Sequence, residues 1–239
     1  MNPSTWVILG ATSIIAEQFA HQAAQAGCAL LLVARNQQQL EVIAADIHLR
    51  YAVTCTVLAV DFMQDMSELI NEINGLDEIN LFIAHSLIIN NDQLTQQSIA
   101  ELIQVNVVST IQVIHAYLQK KQTQHRLLYV SSVAACRGRA KNSLYGASKA
   151  TIEIYLQGLQ QAAPASQTIT IARLGFIDTK STYGEPGIFY ASPPKACARA
   201  CWRAVIKQKR IIYHPFFWRY LMGLISLLPF FLYKKMGKL

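Results

Sequence analysis

The chain has 239 residues, 52% of them hydrophobic and 15% charged, and a formal net charge of +7. That is enough apolar material for one sizeable core, whereas two full domains would be a tight fit. Its five cysteines, Cys28, Cys55, Cys136, Cys197 and Cys201, form no Cys-x-x-Cys pair, which argues against a disulfide or metal framework and for reduced core thiols.

The chain opens Met1-Asn2-Pro3-Ser4-Thr5-Trp6, without the basic segment of a signal peptide, so the expected address is the cytoplasm. In chain order, apolar runs of β character at about 5–10, 29–34, 53–60, 79–84, 126–131, 167–173 and 209–213 read as strands. Between them, segments of helical period cover about 13–26, 36–50, 64–74, 96–121, 143–162 and 195–207, with breaks at Gly27, Gly75 and Pro164. Several strands, such as Ala29 to Val33 and Leu127 to Val130, are apolar throughout, as strands covered by helices on both faces are. The expected fold class is α/β, a single Rossmann-like doubly wound parallel sheet of about seven strands with helices on both faces. Cys197 and Cys201, four apart, read as packing on one helical face.

Charge is unevenly placed along this pattern. Residues 1–185 carry 11 Lys+Arg against 14 Asp+Glu, whereas residues 186–239 carry 10 Lys+Arg and no acid. From His214 onward the sequence, HPFFWRYLMGLISLLPFFLYKKMGKL, becomes a basic, apolar tail. A spanning helix wants about 20 apolar residues, and Tyr220 to Tyr233 supplies fourteen, interrupted by Pro229. The tail therefore suits lying in a membrane interface, with Trp218, Tyr220 and Tyr233 at headgroup depth and lysines on anionic lipid. Because the charges are interleaved with apolar runs, nucleic acid is not the expected partner. The competing expectation is a helix packed on the core or on a partner subunit. The domain division is 1–213 for the catalytic domain and 214–239 for the tail.

The stretch SSVAACRGRAKNSLYGASKA carries the chemistry. Tyr145 and Lys149 are four apart on a predicted helix and share a face, and Ser132 precedes them by thirteen residues at a strand end. All three would meet at the C-terminal edge of the sheet, where open α/β folds bind ligands. A phenol of reference pKa about 10 exchanges protons near neutrality only when a neighbouring cation favours its anion. Ser132 would donate to the substrate oxygen on which charge develops.

LYGASKA, with VSS before it and VNV around Asn106, resembles the short-chain dehydrogenase/reductase family through nearly the whole chain. The resemblance implies a catalytic tetrad: Tyr145 as acid-base, Lys149 beside it on the nicotinamide ribose, Ser132 on the substrate oxygen, and Asn106 holding a water in the proton relay. A narrower resemblance, on SSVAACRGRAKNSLYGASKATIEIYLQGL and the tail, is to decaprenylphosphoryl-ribose epimerase-type reductases, and implies a lipid-linked keto-sugar substrate.

The cofactor set that the resemblance implies is Gly10, Thr12, Ser13, Ile15, Arg35, Asn36, Asp61, Ala84, Tyr145, Lys149, Ile177 and Thr179. In ILGATSIIA, Gly10 meets the first demand of a three-glycine phosphate loop, Ala16 adds one methyl at the third, and Ile14 stands at the second, where it should weaken binding. The second strand ends Val33-Ala34-Arg35-Asn36, a cation with no acid, which favours NADP(H) over NAD(H). Asp61 matches a residue that bonds the adenine; its other reading is a helix cap.

Two elements depart from the family. Ile83-Ala84-His85-Ser86 replaces an Asn-Asn-Ala-Gly element, and His85 there reads as structural before it reads as cofactor-facing. Leu174-Gly175 stands where a Pro-Gly turn is usual, and residues 180–194 fall where a substrate loop, here rich in Gly and Pro, acts as a lid. The expected function is an NADP(H)-dependent interconversion of a carbonyl and a secondary alcohol, on a small-molecule or lipid-linked substrate, by a homo-oligomer peripheral to the inner face of a membrane. The alternatives are a catalytically impaired dinucleotide sensor or scaffold, and a tethering module that presents the tail.

Overall fold

A computed structural model describes residues 4–179 and 189–236. Residues 180–188, most of the expected substrate loop, lie outside the described residues.

Seven strands form one parallel sheet in the order β3-β2-β1-β4-β5-β6-β7. They are β1 Thr5–Leu9, β2 Leu30–Ala34, β3 Cys55–Ala59, β4 Ile79–Ile83, β5 His125–Ser132, β6 Gln167–Leu174 and β7 Ile211–His214. The helices are α1 Ile14–Gln25, α2 Gln37–Tyr51, α3 Ser67–Gly75, α4 Gln96–Ile103, α5 Ser109–Gln119, α6 Ser143–Ala162, α7 Pro194–Ile206, α8 Trp218–Leu227 and α9 Phe230–Lys235. In register, Val7 of β1 lies between Leu31 of β2 and Leu81 of β4. The order of strands reverses between β1 and β4, which opens a crevice at their carboxyl ends.

Alternation along each strand divides the core into two layers. Trp6 and Ile8 face α1, α2 and α7 in one layer, and Val7 and Leu9 face α3, α5 and α6 in the other. In the first layer Phe19 stacks on Phe82 at 4.0 Å and meets Trp6 and Trp202 edge-on. Full burial of side chains of this kind stabilises by roughly 1.5–3 kcal/mol each. Cys197 and Cys201 are buried in the same layer as packing groups. β2 is buried along its whole length, which explains its unbroken apolar sequence.

The expected helix at 96–121 is divided. Between α4 and α5, Gln104–Val108 form a π-helical turn; the extra residue in such a turn rotates side chains off the regular helical face, and Asn106 within it is buried. The continuous stretch Gln96–Gln119 is the one helix among the described residues long and apolar enough to cross a membrane, yet its Val113, Ile114 and Tyr117 pack against the sheet.

A third, small cluster lies beyond the sheet edge. Val133, Trp218 and Met222 form it, with Cys136, Phe176, Tyr213, Leu221 and Ile225 around them, and it joins the end of β5 to α8.

Candidate active site

The crevice at the carboxyl ends of β1 and β4 is floored by Gly10. Its φ is +76°, and a Cβ there would lie 2.5 Å from the His85 backbone nitrogen. The glycine therefore makes room first for the loop after β4, whose Ala84 amide donates to the Leu9 carbonyl at 2.9 Å. Ser13 caps α1, its Oγ accepting from the Ala16 amide at 3.2 Å. Thr12 and Ser13 are half-buried at this helix N-terminus and Ile14 is exposed beside them, while Ile15 packs partly onto the core. Ala16, at the third position of the loop, is fully buried, so the helix approaches the sheet with one methyl between them.

Arg35 and Asn36 are exposed past the end of β2. Asn36 caps α2 by accepting from the Gln39 amide at 3.0 Å, and Arg35 is the cation at that strand end. Asp61 is exposed and accepts from the Met63 amide at 3.1 Å; α3 begins only at Ser67, so Asp61 braces a turn ahead of the helix. A helix N-terminus at the strand-order reversal, hydroxyls beside it and a cation past β2 fit a phosphorylated dinucleotide.

Ser132, Tyr145 and Lys149 converge at the end of β5. The strand delivers Ser132, whose Oγ also accepts from the Ala134 amide at 3.1 Å and caps a short 3-10 turn at Val133–Ala135. That turn lies under α6, where Gly146 permits contact: a Cβ on it would fall 2.7 Å from the Ala134 carbonyl oxygen. Tyr145 is thereby buried to 9% exposure. Burial raises its pKa, while the neighbouring Ser132 hydroxyl, the Arg139 guanidinium and the Ser86 hydroxyl pull it back. Lys149 is buried to 2% exposure. Its Nζ donates to the Val130 carbonyl at 3.0 Å and lies 4.8 Å from the Tyr129 ring centre and 5.9 Å from that of Tyr145. Burial draws its pKa down to about 7 against the pull of the Glu153 carboxylate.

Asn106 is assembled with them differently from expectation. Its Oδ1 accepts from the Leu87 amide at 2.7 Å, and its Nδ2 donates to the Leu87 carbonyl at 2.9 Å and to Ser148 Oγ at 3.0 Å. The side chain fastens the loop after β4 to α6. His85 is buried, stacked on Phe62 at 3.9 Å, with Nε2 at 3.0 Å from Thr110 Oγ1. Burial, then the Lys149 charge, draws its pKa down to about 3, which suits a neutral structural imidazole.

Past β6, Ile177 is buried and bridges Ser192. The Asp178 amide donates to the Ser192 carbonyl and the Ser192 amide to the Phe176 carbonyl, both at 2.9 Å, so the two stems of segment 180–188 are pinned together beside half-buried Thr179.

Three contributors escaped the sequence reading. Arg139 adds a positive charge whose pull, after the Ser132 hydrogen bond, opposes the rise that burial gives the Tyr145 pKa; an arginine in an irregular loop carries no periodic signal. Glu153, on the face of α6 shared with Tyr145 and Lys149, is held by Arg173 at 2.5 Å and Ser131 at 2.5 Å; the i+4 spacing after Lys149 was its available sign. Trp218 of α8, expected at headgroup depth, is instead buried at 6% exposure and lies over Gly175, where a Cβ would fall 1.9 Å from its Nε1.

The sequence profile described as short chain dehydrogenase matches residues 4–185. An uncharacterised oxidoreductase of Staphylococcus epidermidis is 29% identical over 187 residues, covering 74% of this chain and 80% of that one. Another, of Mycobacterium tuberculosis, is 28% identical over 247 residues, covering 97% and 96%. Among solved structures, a short-chain dehydrogenase from Sphingobium yanoikuyae in complex with NADPH superposes with a TM-score of 0.81 at 21% identity, over 95% of this chain and 96% of that one.

Proposed function

The chain belongs to the short chain dehydrogenase family, and we propose that it is an NADP(H)-dependent reductase that interconverts a carbonyl and a secondary alcohol on a lipid-like substrate, a lipid-linked keto-sugar being the class its epimerase-type resemblance favours. The observation that carries this reading is the meeting of Ser132, Tyr145 and Lys149 at the carboxyl end of β5, beside the crevice where the strand order reverses.

The dinucleotide supplies hydride chemistry at its nicotinamide when bound. Tyr145 gives or takes the proton at the substrate oxygen, and Ser132 donates a hydrogen bond to that oxygen as charge builds on it. Lys149, its pKa lowered by burial, stands beside Tyr145 and would bond the cofactor ribose. Asn106 keeps the loop after β4 in place. Ser13 and Thr12 serve the phosphates, and Arg35 the 2′-phosphate, so NADP(H) is preferred to NAD(H). The NADPH complex of the Sphingobium relative supports the same choice.

The tail points the function toward a membrane. Phe216, Tyr220, Leu224 and Leu227 are exposed along it, and the segment from 186 onward carries no acid; together these suit an anionic lipid surface at the cytoplasmic face. A sensor that has lost turnover is the weaker reading, because the altered loop at 83–86 displaces neither Tyr145 nor Lys149.

The experiment is a comparison of Tyr145→Phe with the native chain in an NADPH-oxidation screen over keto-sugars and long-chain ketones, with thermal shift by NADPH and NADH alongside. Turnover should vanish in the variant while the NADPH shift persists. Equal turnover would refute the acid-base role, and a larger shift with NADH would refute the role of Arg35.

A further inference from the structure

The tail is fastened to the catalytic loop. Arg137 lies between Ser132 and Tyr145 in sequence, and its guanidinium donates to the carbonyls of Ile225 and, at 2.9 Å, Leu228. Carbonyls at the end of a helix lack partners within it, and a cation there also meets the negative end of the helix dipole. The same guanidinium lies 3.9 Å from the ring centre of Tyr233 on α9, and the Tyr233 hydroxyl donates to the Gly138 carbonyl. A second tie runs through Trp218, which packs on Phe176 at 5.6 Å and on Val133, and covers Gly175.

The helix carrying these ties is apolar on two sides. Trp218, Met222 and Ile225 face the third cluster, while Phe216, Tyr220, Leu224 and Leu227 recur at helical spacing on the outward side and are exposed. Arg219, Gly223 and Ser226 separate the two apolar faces along one side, and an outward apolar face calls for apolar surroundings of its own. At ten residues, α8 is also too short to be stable by itself in water. Its outward occupant is indicated by charge: Lys234 and Lys235 close α9, and from His214 onward Arg219, Lys234, Lys235 and Lys238 are accompanied by no acid. An anionic bilayer matches that balance.

We propose that the catalytic loop senses the bilayer through Arg137: insertion of the outward face of α8 into an anionic lipid surface holds residues 133–142 in the arrangement that sets Ser132 beside Tyr145. The inference rests on the membrane reading of the tail. Its basis is linkage, since a surface that binds the folded α8 lowers the population of every state in which α8, and with it the Arg137 contacts, has opened. Arg137 is thus a positioning residue acting on Tyr145 through the loop.

The test is amide hydrogen exchange of the full chain, with and without vesicles of phosphatidylcholine and phosphatidylglycerol, in the native protein, Arg137→Ala and Arg137→Lys. In the native protein, anionic vesicles should slow exchange at 133–142 by about tenfold. Arg137→Ala should still sediment with the vesicles while that slowing is lost, and Arg137→Lys, which keeps the charge without the two-pronged fork, should recover part of it. Sedimentation with no slowing in the native protein, or slowing retained in Arg137→Ala, overturns the coupling alone. Failure to sediment, or light scattering that shows the outward face of α8 covered by a second copy, overturns the membrane reading and the coupling together.

Discussion

Burial sets the electrostatics of the site residue by residue. Lys149 would titrate near 10.5 in the open chain and titrates at about 7 in the fold. Between those values the unfolded chain holds a proton that the folded chain has released, so this group makes stability rise with pH across that window. His85 works in the same sense lower down: its ordinary value of 6.5 falls to about 3 on burial. The unfolded chain takes up a proton below about pH 6.5 that the folded chain refuses until about pH 3, so stability falls as pH drops through that interval, by up to about 1.4 kcal/mol per pH unit. His85→Gln should flatten this acid limb. Urea midpoints measured at several pH values between 6.5 and 3 check it, and parallel losses in native and variant chains would remove His85 from the account. Tyr145 and Lys149 were legible in the sequence because i and i+4 on a helix must share a face. Arg139 was not, because its position relative to Tyr145 depends on the path of an irregular loop.

At the scale of elements, the periods of the sequence located every strand and all the helices of the sheet layers, with ends displaced by at most three residues. What periodicity missed were local devices whose cause lies elsewhere in the fold. The π-helical turn at Gln104–Val108 answers to Leu87 and Ser148, both remote in sequence from Asn106. The glycines show the same dependence. Gly175 stands where a turn was expected, but its need arises from Trp218, more than forty residues later, whose indole occupies the space of a Cβ. Gly175→Ala must push α8 away from the end of β6, and overpacking of this kind costs about 1–3 kcal/mol. The expected result is a Tm lower by several degrees, at about 2–4 °C per kcal/mol for a chain of this size. Scanning calorimetry checks it; an unchanged Tm would mean that Trp218 has somewhere else to go.

For the whole molecule, the question is whether the tail is an appendage or a part of the catalytic body. Packing of Trp218 and Met222 against Val133, and of Arg137 against α8 and α9, makes it a part. Deleting residues 215–239 should therefore abolish flotation with anionic liposomes and also lower the Tm, because burial of Trp218 and Met222 contributes roughly 3–6 kcal/mol as an upper bound. Lost flotation with an unchanged Tm would return the tail to the status of an appendage. By itself the sequence determined the α/β class, the parallel sheet, the shared face of Tyr145 and Lys149 and the basic apolar character of the tail, because each follows from periodicity or composition within a short window; Ser132 was placed beside them by its strand end and by the family resemblance. Only the tertiary structure decided what the tail touches, that Asn106 is bound to Leu87 and Ser148 and why Gly10 and Gly175 are glycines. Those are contacts between segments far apart in the chain, and local physics places no constraint on them until the sheet brings them together.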